Sequence, residues 1–131
     1  MRTILIAVLM TLAAQAGATE FLLYAEDNEF LGCWGCGEYS SDSICFEYGT
    51  YGGEYSNSIW NEYGTYGSEY SSESPWNEYS NRAPKLFDTV GNYYDRFSIN
   101  IYAGFDLSEN LKRLYEAANG NLALVRKGLC D

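Results

Sequence analysis

From Cys33 to Asn81 the chain repeats itself, and this repeat limits the possible folds more than any other feature. Ile44-Cys45-Phe46-Glu47-Tyr48-Gly49-Thr50-Tyr51-Gly52-Gly53-Glu54-Tyr55-Ser56 is followed by Ile59-Trp60-Asn61-Glu62-Tyr63-Gly64-Thr65-Tyr66-Gly67-Ser68-Glu69-Tyr70-Ser71. Pro75-Trp76-Asn77-Glu78-Tyr79-Ser80 is a truncated third copy, and Cys36-Gly37-Glu38-Tyr39-Ser40 matches only the tail of the unit. The period is 15 residues from Ile44 to Ile59 and 16 from Ile59 to Pro75. Units this short cannot bury their aromatic rings alone, so a near-constant period implies stacking.

The chemistry of one unit can be read locally. Ser43, Ser58 and Ser74 stand just before Ile, Ile and Pro, which makes each a helix-capping candidate. Gly49 and Gly64 are placed as left-handed stops, so each S-[IP]-x-x-E-Y-G reads as one short helical turn. Thr50-Tyr51-Gly52-Gly53 and Thr65-Tyr66-Gly67-Ser68 read as type II turns, and Glu54-Tyr55-Ser56 and Glu69-Tyr70-Ser71 as brief extended pieces. Stacking aligns Cys45, Trp60 and Trp76 in one column and the tyrosines in others. A flexible Tyr/Ser/Gly linker is the competing reading, but constant period and fixed Gly and Trp positions argue against it. The repeated glutamates then form acidic rows. No D-x-[DN]-x-[DN]-G loop is present, so a solvated acidic face is expected rather than a Ca²⁺ site.

Two similar segments flank the repeats. Leu23 to Gly32 and Leu86 to Asp95 each read apolar strand, turn with Asn or Gly, aromatic strand. The second is expected to continue as a strand through Phe97-Ser98-Ile99-Asn100-Ile101-Tyr102. The hairpins are expected to meet in a small antiparallel sheet capping the stack. Ser108 is the expected N-cap of a helix over Glu109–Ala118, ending at Gly120, with Leu107, Leu111, Leu114, Tyr115 and Ala118 on one face. Leu122-Ala123-Leu124-Val125 reads as a further strand. The expected fold is α+β, turn-rich, with one C-terminal helix, as a single domain over residues 19–131 (repeats 33–81, hairpin and helix 84–131).

Cys33, Cys36, Cys45 and Cys130 are an even set in a short chain, which favours two disulfides among three connectivities. One local bond from Cys45 to Cys33 or Cys36 is expected, and one tying Cys130 back to the start of the repeats. Zinc ranks behind this because the second C-x-x-C knuckle is missing. Redox chemistry ranks last because no βαβ pattern surrounds Cys33-Trp34-Gly35-Cys36.

An export signal fits residues 1–18. Arg2 is its positive start, Ile4 to Met10 begins its apolar run, and Ala14-Gln15-Ala16 and Ala16-Gly17-Ala18 are cleavage sites. The apolar run is too short to span a bilayer, and no second one follows, so no membrane span is expected. Net charge is −10, with Lys+Arg 8, Asp+Glu 18 and no His. Such a chain is a poor partner for nucleic acid, and it has no imidazole for acid–base, nucleophilic or metal chemistry. Thr19 to Asn81 holds 12 of the acids and no base, whereas Arg82 onward is near neutral.

The block G-x-Y-G-S-x-Y-S-x-x-S-x-W-N-x-Y, present as Gly64 to Tyr79, resembles the repeat of small exported, uncharacterised bacterial proteins. The resemblance covers about Gly32 to Asn100, and Phe46 departs from it where Asn61 and Asn77 carry Asn. It implies export and tandem repeats but no activity.

The expected function is therefore a secreted or periplasmic, non-enzymatic binding or structural module of the cell envelope, with no cofactor. Its binding surface is expected at Glu54, Tyr55, Glu62, Tyr63, Tyr66, Glu69 and Tyr70. A basic envelope protein or a glycan fits as partner. The alternative is an inhibitor or immunity-type protein blocking a basic exported partner, steered by the acidic front.

Overall fold

The computed structural model describes residues 20–131; the expected export signal, residues 1–18, lies outside them. In chain order come β1 (Phe21–Tyr24), β2 (Phe30–Trp34), β3 (Lys85–Asp88), β4 (Tyr93–Arg96), α1 (Ser108–Ala117) and α2 (Leu122–Cys130). The fold is α+β. The strands form one antiparallel sheet in the order β2-β1-β3-β4, with β1 and β3 paired across the two hairpins. Asn28 and Gly91 take positive φ in the turns, as the Asn and Gly signals implied. Asp88 closes the second hairpin by accepting hydrogen bonds from the Val90 and Asn92 backbone, the Asn92 side chain and the Tyr94 hydroxyl.

Between β2 and β3 the repeats form side-chain-bridged turns. Ser43, Ser58 and Ser74 are all buried, and each Oγ accepts the N–H two residues on, at 2.9, 3.1 and 3.0 Å. This is the bond expected of a capping serine, but here it closes a single turn. Asn61 and Asn77 then accept from the Tyr63 and Tyr79 N–H groups and donate back to the Ser56 and Ser71 carbonyls. Phe46 cannot make either bond, so the first unit lacks this clamp. Glu54-Tyr55-Ser56 and Glu69-Tyr70-Ser71 lie in bends and turns rather than strands, because side-chain oxygens (Ser68 to Tyr70 N–H, for example) engage the backbone locally.

Successive units are joined through tryptophan. The Trp60 indole N–H donates to the Ile44 carbonyl and the Trp76 indole to the Ile59 carbonyl, both at 2.6 Å. The two rings stack at 5.5 Å, and Trp76 stacks in turn on Tyr115 of α1 at 5.6 Å. None of the glycines in the two full units acts by handedness, and Gly52 and Gly67 act by close approach. Gly49, Gly52, Gly64 and Gly67 are absent from the positive-φ positions. A Cβ on Gly52 or Gly67 would lie 2.0 or 2.1 Å from the carbonyl oxygen of Phe46 or Asn61, so only hydrogen fits.

Phe97 to Tyr102 is not a strand. Ser98 accepts from the Asn100 N–H, and Asn100 accepts from Tyr102 and donates to the Ser80 carbonyl, the same Ser and Asn bonds as in the repeats. The alternating pattern there came from a turn whose Ser and Asn are turned inward to the backbone. The sheet lies beside the repeats rather than across an end. Phe30 packs edge-on to Tyr51, and Glu29 receives the Tyr66 hydroxyl, so β2 and its turn touch two consecutive units.

At the C-terminus there are two helices instead of one. Ser108 is the first residue of α1 rather than its cap; its hydroxyl is buried without a partner, pressed against Gly104. Asn119 and Gly120 end the helix at positive φ. Leu122 to Val125, expected as a strand, opens α2, whose start Asn121 caps by accepting from the Leu124 N–H. Leu122, Val125 and Leu129 bury at helical spacing. The disulfides are Cys33–Cys36 and Cys45–Cys130. The local bond thus excludes Cys45, because α2 packs over the first unit and brings Cys130 to it. One apolar core, including Leu23, Ile44, Ile59, Trp60, Trp76, Phe97, Leu111 and Val125, links sheet, repeats and helices.

Candidate functional site

The inward positions of each unit are taken by Ser, then Ile or Pro, then Cys or Trp, and this forces the adjoining Glu–Tyr pairs outward. Two rows result. One holds Tyr48, Tyr63 and Tyr79, each directly after a glutamate; the other holds Tyr39, Tyr55 and Tyr70, also each after a glutamate. Tyr102 occupies the same place in the Ser98 turn but follows Ile101. These seven tyrosines are 80–93% exposed. Isolated exposed aromatics are ordinary; a regular row of them marks a surface with a task.

Six of the seven expected surface residues line one groove. Clefts of about 460 and 600 Å³ share Glu62, Tyr63, Asn119, Gly120 and Leu122. Glu54 and Tyr55 extend the first and Glu69 and Tyr70 the second. The repeat wall faces the connection between α1 and α2. Tyr66 is the exception and is corrected: it is 6% exposed, and its hydroxyl donates to Glu29. Its hydroxyl is taken by the turn between β1 and β2, a contact that no spacing within the repeat reveals. That bond and the adjacent negative charge push the Tyr66 phenol far above its usual range.

The acidic face is also less solvated than charge counting implied. Arg126 of α2 lies 3.2 Å from Glu47 and 3.7 Å from Glu54, and donates to the Gly52 carbonyl. Lys112 of α1 lies 3.6 Å from Glu78. Cations from the near-neutral back of the chain thus fold onto its acidic front. Among the described residues, Glu62 and Glu69 make no ion pair. Tyr63 is raised above the ordinary phenol range by its hydrogen bond to Glu62, and Tyr115 by burial first and then by the Glu69 charge. The residues missed by sequence reading are Arg126, Lys112 and the Asn119–Leu122 wall. Asn121 followed by Leu122, Val125 and Leu129 was the signal that would have found α2 and its arginine.

Among the described residues no cluster of three or more His, Cys, Asp or Glu is arranged to hold a metal ion, and no helix is long and apolar enough to cross a membrane. No protein-family model, curated protein or solved structure matches the chain.

Proposed function

We propose that the protein is an exported, non-enzymatic binding module of the cell envelope whose stacked Tyr/Trp repeats present glutamate–tyrosine rows to a basic partner. The observation that carries this is the rows of tyrosines, each at least four-fifths exposed. Tyrosine offers wide contact area with few rotatable bonds, and turns held by Ser and Asn fix the backbone beneath each ring, so little order has to be gained on binding. The two disulfides suit an oxidising compartment.

The test is capture from an envelope extract on immobilised protein, beside a Tyr55→Ser/Tyr63→Ser/Tyr70→Ser variant. Enrichment of basic proteins by the wild type alone, released as salt rises, is the expected result. Equal retention by both proteins, or none by either, would remove the tyrosine rows from any binding role.

A further inference from the structure

The groove supports a narrower conclusion about what it holds. Its repeat wall offers the same pair three times: Glu54-Tyr55, Glu62-Tyr63 and Glu69-Tyr70. The opposite wall is the Asn119–Leu122 connection, which brings no basic side chain. A third cleft of about 470 Å³ shares Glu69, Tyr70 and Tyr115 and continues the line to Glu78-Tyr79. The groove is thus a run of repeated glutamate–tyrosine pairs rather than one pocket, with Lys112 lining its far end.

The charge along it is uneven. Arg126 and Lys112 serve Glu47, Glu54 and Glu78, while the central Glu62 and Glu69 lack a cationic partner among the described residues. At the centre, open aromatic faces therefore stand beside uncompensated carboxylates. A ring face is the negative pole of its quadrupole and attracts a cation, and the neighbouring carboxylate attracts the same cation. An ammonium or guanidinium on an apolar stem satisfies both: the stem covers the ring and the head meets the acid. A neutral sugar can cover the ring and donate a hydroxyl to the acid but gains no charge–charge attraction there, and an anionic chain is repelled.

We propose that this groove binds an extended polypeptide segment rich in Lys and Arg, with one basic side chain against each of the central pairs Glu62-Tyr63 and Glu69-Tyr70. This rests on the binding-module reading and adds the ligand class and its place.

The test uses the disulfide-bonded protein and a fluorescently labelled peptide of alternating Lys and Ser, read by anisotropy at low and high salt. A Glu/Ser peptide and neutral oligosaccharides serve as competitors. The Lys/Ser peptide is expected to bind and to weaken as salt rises, with neither competitor displacing it. Tyr63→Ser with Tyr70→Ser keeps every charge, and should weaken binding roughly five- to tenfold through two exposed cation–ring contacts. Glu62→Gln with Glu69→Gln should weaken it by about as much and flatten the salt dependence. Tyr102→Ser, where no glutamate precedes the ring, should leave affinity unchanged. All these side chains are exposed, and unchanged melting midpoints will show that the variants fold.

If affinity follows the glutamates but ignores Tyr63 and Tyr70, the paired subsites are wrong. If a neutral oligosaccharide displaces the peptide, the ligand class is wrong while the binding module stands. If the peptide does not bind although the envelope extract yields a tyrosine-dependent partner, the groove is wrong and the module again stands.

Discussion

Trp76 is the residue whose loss should most damage the repeats. Its ring is 2% exposed, stacked on Trp60 and Tyr115 and edge-on to Phe97. Its N–H also satisfies the Ile59 carbonyl. Trp76→Ala removes the ring and leaves that carbonyl unpaired. A buried Trp→Ala change costs about 3–5 kcal/mol, and the upper end applies here because stacked partners on two faces cannot both collapse into the space. Against a typical domain stability of about 5–15 kcal/mol, this approaches unfolding. Trp76→Phe separates the two effects, since it keeps most of the ring and loses only the donor, for about 1–3 kcal/mol. With urea slopes of about 1–3 kcal/mol/M, the Phe variant should lose roughly 1 M in midpoint, measured by far-UV circular dichroism with the disulfides intact. An unchanged midpoint for Trp76→Phe would refute the indole–carbonyl bond as the link between units. An unchanged midpoint for Trp76→Ala would refute burial of the ring itself.

Three further expectations can be checked on the same footing. Gly67→Ala should destabilise by about 1–3 kcal/mol, since its Cβ would lie 2.1 Å from the Asn61 carbonyl, whereas Gly64→Ala, with its nearest neighbour at 3.4 Å, should be neutral or slightly stabilising; equal urea midpoints for the two would contradict the close-approach role. Replacing Cys45 and Cys130 together by Ser opens a bond of sequence separation 85, for a loss of about 4–5 kcal/mol on the chain-entropy model and a melting drop of roughly 15 °C or more; a drop of a few degrees would show that α2 stays docked without it. Glu26 is held below the usual carboxylate range by its hydrogen bond to Arg96, and at Asp88 the hydrogen bonds from Asn92, Tyr94 and Val90 outweigh the upward push of burial. Both therefore favour the folded state above about pH 4, and that contribution is lost as pH falls through their lowered values. Glu26→Gln and Asp88→Asn should each flatten the acid side of a stability–pH curve, and an unaltered slope would rule the group out.

The parts of the fold written in the sequence are those that repeat or punctuate. Equivalent Ser, Gly and Trp at constant period mark turns that meet their own copies, and Asn28 and Gly91 mark hairpins because few residues tolerate positive φ. What stayed hidden depends on partners distant in the chain. Tyr51 and Tyr66 occupy the same place in successive units; Tyr51 packs on Phe30 of β2 and Tyr66 donates to Glu29 in the turn before it, contacts that set them apart from the exposed Tyr55 and Tyr70. Phe97 to Tyr102 imitates a strand because Ser98 and Asn100 alternate with apolar residues, although their polar atoms bind the local backbone. Helix α2 is short and contains Gly128, so its apolar residues looked like a strand until docking on the repeats stabilised the helix. The exposed half of the groove was legible as Glu–Tyr pairs; its helical wall was not.

The most direct measurement of the central claim is a titration of the disulfide-bonded protein, carrying isotope-labelled tyrosine rings, with the Lys/Ser peptide, followed by NMR. The ring signals of Tyr55, Tyr63 and Tyr70 should move together along one saturable curve, while those of Tyr66, buried and bonded to Glu29, and Tyr102, which follows Ile101, stay in place. Shifts spread evenly over every exposed tyrosine, or confined to residues outside the groove, would contradict it.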